Sequence, residues 1–168
     1  MNVDVRVEPL TGKLPTVAWR WDPETDILAG SFKLAGKGTG LTGTVELADA
    51  EGAIAVIDVV GGVVRGLDVV VWPEVATVGQ LSAPAPATEG RVVVPSRQSQ
   101  PGIASLELDT ALSVEANADE SVFHLRIGAR RPVEVVRIAD HWLVEVDQKR
   151  KLAGFWLLSV PRFEGEES

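Results

Sequence analysis

His124 and His141 are the two histidines of the chain, and any acid–base or metal chemistry starts with them. His124 lies in Phe123-His124-Leu125-Arg126, and His141 follows Asp140 at the start of an apolar stretch. A His–Asp pair can act as a general base. Ser159, however, is the one serine near an apolar strand end, and no G-x-S-x-G elbow occurs in the chain. A two-histidine metal site would need carboxylates from elsewhere. Surface or strand-edge placement of both rings is the favoured reading. A hydrolase or metal enzyme built on His124 and His141 is the least favoured function.

Asp22, Glu24 and Asp26 set three carboxylates at alternating positions, a spacing from which hard cations take oxygen ligands. Pro23 between them, and no glycine or glutamate at calcium-loop distance, favour turn capping instead. Gly38-Thr39-Gly40-Leu41-Thr42-Gly43 spells G-x-G-x-x-G. A dinucleotide site needs a strand before that motif and a helix after it. Here a strand-like stretch follows, so a hairpin loop is expected. The chain has no cysteine, which excludes disulfides, thiol catalysis and Cys-ligated metals. Neither a metal nor a cofactor is expected.

Five tryptophans and no tyrosine make an unusual aromatic set. Packing of large rings in a core, or between two units, is their commoner use. The alternative is a ring-lined groove. The candidate ligand-binding residues are then Trp19, Trp21, Trp72 and Trp142, with His124, and with Arg126 and Arg137 to hold a small anionic ligand. Arg130 is a further candidate for that anion.

The elements that would position these side chains read as strands. Ile54 to Trp72 is rich in β-branched residues and broken by Gly61-Gly62; such a pair supplies the positive φ of a tight hairpin. Trp142 to Val160 has a related pattern. An Asp closes the first strand of each (Asp58, Asp147), a Gly sits early in the second (Gly66, Gly154), and a Pro ends the run (Pro73, Pro161). Asn2 to Glu8 alternates strictly, with Val3, Val5 and Val7 on one side. Asp22-Pro23-Glu24-Thr25 is a turn. The sequence shows no sustained helical period, and about twelve short strands at hairpin spacing imply an all-β fold.

Two tandem repeats of a roughly six-stranded antiparallel β-unit are expected, at residues 1–75 and 103–163, with a tail at 164–168. The stretch 76–102, rich in Pro, Ser and Ala, reads as a partly mobile linker with one possible edge strand at Arg91 to Val94. One unit alone would bury a marginal core. The pair is therefore expected to pack with pseudo-twofold symmetry around one core, as a sandwich or barrel. Val69-Val70-Val71-Trp72 supports this, because alternation fails where both faces are covered.

The chain has 168 residues, 45% of them hydrophobic, and a formal net charge of -8. Such a balance argues against nucleic acid or an anionic membrane as partner. No apolar run reaches the length of a membrane helix, and Met1 to Leu10 has no signal-peptide core, so a cytoplasmic location is expected. Positive charge gathers late, in Arg126, Arg130, Arg131 and Arg137, then Lys149, Arg150 and Lys151. No catalytic set converges in the sequence. The favoured function is a non-catalytic β-module acting through protein contacts or self-association, since open strand edges invite pairing. The alternative is a small-molecule binder with a Trp-lined groove.

Trp21-Asp22-Pro23-Glu24-Thr25-Asp26-Ile27-Leu28, then Ile57-Asp58, then Gly62-Val63-Val64-Arg65-Gly66-Leu67-Asp68-Val69 resembles a small bacterial domain of unknown function. Its pattern is close to YDPExDxLYI followed by DxDxxGxVVGIEIL. The resemblance covers about Trp19 to Trp72 and extends weakly to Leu112 to Val160. There Asn117-Ala118-Asp119-Glu120-Ser121 takes the place of the first turn. Trp21 stands where that family has Tyr, and Ala29-Gly30 where it has Tyr-Ile. The resemblance implies a small β-module in two diverged copies, and it implies no site.

Overall fold

Gly61 and Gly62 adopt φ of 57° and 87°, the conformation expected of a tight hairpin turn. They join two strands of a mixed sheet that makes up the whole fold. The structure is a computed structural model describing residues 3–10, 12–33, 42–95 and 103–163. Of the G-x-G-x-x-G stretch, residues 38–41 lie outside the described residues; Thr42 and Gly43, expected in the hairpin loop, instead open the following strand. The 164–168 tail also lies outside them.

Fourteen strands and no helix occur among the described residues. The first seven are β1 (Arg6–Pro9), β2 (Arg20–Trp21), β3 (Leu28–Ser31), β4 (Thr42–Ala48), β5 (Ile54–Val60), β6 (Val63–Val71) and β7 (Val75–Thr77). The second seven are β8 (Thr88–Val93), β9 (Ile103–Asp109), β10 (Leu112–Ala116), β11 (Phe123–Ile127), β12 (Val133–Ala139), β13 (Trp142–Asp147) and β14 (Leu152–Leu157). Among the described residues no helix is long and apolar enough to cross a membrane.

The strand order is β2-β3-β6-β5-β4 in the first half and β10-β11-β14-β13-β12 in the second. Within each set every pairing is antiparallel. The first turn closes alike in both: Asp22 N–H donates to Ile27 O at 2.8 Å, and Asn117 N–H to Val122 O at 3.2 Å. Each half also has a register shift in its central hairpin. Asp58 pairs with Gly66 but Val59 with Val64, leaving Arg65 extra. Glu145 pairs with Gly154 but Val146 with Leu152, leaving Ala153 extra. A strand glycine beside a bulge is the placement expected of Gly66 and Gly154.

The expectation of purely antiparallel units does not hold for the sheet as a whole. β7 runs parallel to β10, β8 to β12, and β9 to β4. β8 and most of β7 come from the expected linker, and β9, expected to open the second unit, pairs instead with β4 of the first. All three are delivered by crossings rather than hairpins, and a crossing sets a strand parallel to its neighbour. The expected edge strand at Arg91 to Val94 is not at an edge either: β8 lies between β12 and β6 in the strand order and also pairs with β1. Thr16 to Trp21 alternates Val17, Trp19 and Trp21 on one side, yet β2 is only two residues long, because the earlier main chain bonds to a turn instead. Val17 N–H donates to Asp140 Oδ1 at 2.9 Å, and Asp140 N–H to Pro15 O at 3.0 Å.

Between Thr77 and Thr88 the chain passes from one side of the second half to the other. The segment opens on a turn, with Leu81 N–H donating to Val78 O at 3.0 Å, and reaches β8 through Pro84 and Pro86, where Ala87 N–H donates to Val135 O at 2.8 Å. Leu81 and Ala83 fasten it to Val135, Leu143 and Trp156 on the sheet face turned away from the main core.

The main core draws on both halves, with Val45, Leu47, Ile57 and Leu67 from the first and Leu125, Val136, Val144 and Phe155 from the second. Trp19 and Trp142 meet edge to face there, with centroids 5.4 Å apart. The N-terminal residues join the far end of the chain, with Val5 N–H donating to Arg150 O and Leu152 N–H to Val3 O.

Candidate functional sites

Two clefts contain most of the side chains that sequence reasoning singled out. The first is an aromatic cleft of about 750 Å³, where the end of β6 meets β2 and the β10–β11 turn. Trp21 and Trp72 stack in it, with centroids 5.5 Å apart and planes at 30°. Phe163 approaches Trp21 edge-on at 5.3 Å, and Phe123 lies 5.2 Å from Trp72. Both indole N–H groups are already bonded within the protein. Trp21 Nε1 donates to Pro161 O at 2.7 Å, and Trp72 Nε1 to Asp26 O at 2.9 Å. These bonds fix the ring orientations and leave the ring surfaces as the free chemistry. Phe163 remains 42% exposed, so part of its ring stays open to solvent. Asp26, Asp119, Glu120 and Arg162 complete the lining. The Ser121 hydroxyl and N–H hold the Asp119 carboxyl below its usual range, so it stays ionised.

The second cleft, of about 380 Å³, lies on the outer sheet face of the second half, beside Leu81. The β11–β14 register sets His124 opposite Trp156, and the two rings stack at 4.1 Å with planes 5° apart. His124 Nε2 is 2.8 Å from Glu145 Oε1, and Trp156 Nε1 donates to Glu145 Oε2 at 3.2 Å. An ionised carboxylate only accepts, so Nε2 carries the proton of that bond. Glu115 Oε1 lies 3.6 Å from His124 Nδ1 and accepts from Arg126 Nη2 at 3.3 Å. Burial pushes the Glu145 carboxyl up. The His124 hydrogen bond and charge, the Trp156 N–H and the Arg126 charge outweigh it, and the group sits below its usual range.

Gly154 makes room for this network. A Cβ there would come 2.6 Å from Glu145 Oε1 and 2.6 Å from Leu125 O. Gly66 is less crowded: its nearest neighbours would be Asp58 Cβ at 3.1 Å and Ser31 Cβ at 3.2 Å. The close approach of a Trp ring to a glycine occurs elsewhere, where Trp19 lies on Gly30.

The candidate set thus divides. Trp21 and Trp72 line the aromatic cleft, and His124 and Arg126 line the second. Trp19 and Trp142 are core residues, 3% and 0% exposed. Arg137 lies on β12 opposite Leu143 and Glu89, outside the lining of either cleft. Arg130 is exposed on the rim of the second cleft, whereas Arg131 is tied to Asp147 at 2.7 Å. His141 is in a third, open depression with Asp140 and Ser159, 3.6 Å from the Asp140 carboxylate. The two histidines therefore do not converge. Asp22 caps its own turn, accepting from Glu24 N–H at 2.9 Å. Among the described residues no group of three His, Asp or Glu side chains is placed to hold a metal ion.

Sequence reasoning missed Phe123, Phe163, Glu145 and Trp156 as site residues. A signal existed for Glu145: it is a lone charge in the apolar run Trp142 to Val146, paired across strands with a glycine. No protein-family model matches this sequence, and no curated protein matches it either.

Proposed function

We propose that the protein is a non-catalytic binding module, built from two diverged copies of one β-motif, that works by gripping another protein chain in the aromatic cleft. The carrying observation is the Trp21–Trp72 pair, held open by internal N–H bonds beside an exposed Phe163. Rigid, partly exposed rings are the usual anchors of protein contacts. The matched strand orders, turn bonds and bulges beside Gly66 and Gly154 support the duplication. The separation of His124 from His141, and the engagement of His124 by Glu145, weigh against hydrolysis.

The test is selection of displayed random peptides on the immobilised protein, in parallel with a Phe163→Glu variant. Peptides enriched on the parent should lose most of their binding to the variant while its melting temperature is unchanged. Peptides that bind both equally would refute the cleft as the contact surface. Sedimentation velocity at rising concentration decides whether the gripped chain is a second copy.

A second reading rests on Arg126 and exposed Arg130 in the 380 Å³ cleft. A small anionic ligand there would perturb Trp156 fluorescence on titration with inorganic phosphate. An unchanged spectrum at millimolar phosphate removes this reading.

A further inference from the structure

The aromatic cleft also has the means to select its occupant. We infer that it takes an extended, basic segment of a partner protein, with an arginine side chain lying against the exposed ring surfaces of Trp21 and Phe163. This rests on the reading of the cleft as a binding surface.

Three observations converge. The first is charge. The lining holds three carboxylates, Asp26, Asp119 and Glu120, against the single cation Arg162. The whole chain carries -8, which steers a basic partner toward it. The second is ring chemistry. With both indole N–H groups bonded to Pro161 O and Asp26 O, the cleft offers π-faces and carboxylates together, and few donors. A guanidinium satisfies both, stacking on a ring while its edge donates to an acid. An anionic or purely apolar ligand satisfies only one or neither.

The third is backbone. β7 ends the main strand order, and β2 ends the branch that runs through β3. Each has one paired edge among the described residues, and each reaches the cleft, through Val75 and Trp21. An extended peptide can bond to an unpaired strand edge and send alternate side chains into pockets. A compact small molecule would leave that main chain unused.

The experiment is a calorimetric and Trp-fluorescence titration with three capped peptides of alternating sequence: valine with arginine, valine with glutamine, and valine with glutamate. Arginine amide serves as a fourth ligand. The arginine peptide should bind, the glutamine peptide about tenfold or more weaker, and the glutamate peptide not detectably. Glu120→Gln, and separately Phe163→Ala, should each weaken the arginine peptide about tenfold with unchanged melting temperatures.

Equal binding of the glutamine peptide would overturn the cationic preference while leaving the cleft a binding surface. Arginine amide binding as tightly as the peptide would overturn the extended segment. Undiminished binding by both variants, or no binding of the arginine peptide at all, would overturn the inference outright. The displayed-peptide selection would then decide separately whether the cleft binds anything.

Discussion

Gly154 and Glu145 form one unit, since the carboxylate occupies space that any side chain at 154 would need. Its neighbours there include a backbone carbonyl, Leu125 O, which cannot swing away. Gly154→Ala is therefore expected to cost about 1–3 kcal/mol through overpacking. A Cβ at Gly66 meets Asp58 Cβ at 3.1 Å, Ser31 Cβ at 3.2 Å and Gly30 O at 3.4 Å, none as close as the 2.6 Å contacts at Gly154, so Gly66→Ala should cost less. Urea denaturation of both variants gives the ranking, and a Gly66 variant that loses as much as the Gly154 variant would contradict it. The sequence reading treats the two glycines as equivalent. It correctly marks both as unusual, but the difference depends on which side chain is opposite, Asp58 or Glu145, and on how deeply it lies.

The same carboxylate makes stability depend on pH. The folded-state pKa of Glu145 lies below its ordinary value of 4.5. Its contribution is therefore complete above that value and is lost as pH falls through the folded-state one. Glu145→Gln should flatten the acid limb of the stability curve and shift Trp156 emission, because Trp156 Nε1 donates to this group. A variant whose acid limb matches the parent's would show that the His124–Glu145 bond contributes nothing.

Strands with strong alternation were legible as elements almost to their ends. Ala104 to Asp109, Leu112 to Ala116, Val122 to Ile127 and Trp142 to Asp147 read as strands from the sequence, and β9, β10, β11 and β13 begin and end within a residue of those bounds. What pairing signals could not convey was the path between the halves. Pro- and Ala-rich composition reads as slack chain, but Leu81 and Ala83 pack against Trp156 and Leu143. Short runs such as Val75–Thr77 carry too few residues to show a period, so β7 was invisible. The strap gives its own expectation. Leu81→Ala should speed proteolytic cleavage between 78 and 87 several-fold, with little change in the global melting temperature. Equal cleavage rates would mean that Leu81 does not hold the strap.

Taken whole, the molecule is two similar strand sets laced together by the segments between and before them. β8 and β9 each pair with the half that lies further along or further back in the chain, and residues 3–5 reach β14. Trp19 and Trp142 bring the halves into one core. The aromatic cleft is a product of that lacing, since Trp21 and Trp72 come from the first half and Phe123 and Phe163 from the second. The sequence reveals the rings and their number. It cannot reveal which rings remain exposed, because exposure depends on how the halves dock, and so the candidate set mixed core rings with cleft rings and with arginines from elsewhere.

The most direct test of the cleft as the working surface uses the five indole N–H groups as reporters. In a protein labelled with nitrogen-15 at tryptophan, each of Trp19, Trp21, Trp72, Trp142 and Trp156 gives one resolved signal. On addition of the arginine–valine peptide, the signals of Trp21 and Trp72 should shift with a common saturation curve, while those of Trp19, Trp142 and Trp156 stay in place. Movement of Trp156 with Trp21 and Trp72 unmoved would transfer the site to the His124 cleft and contradict the account.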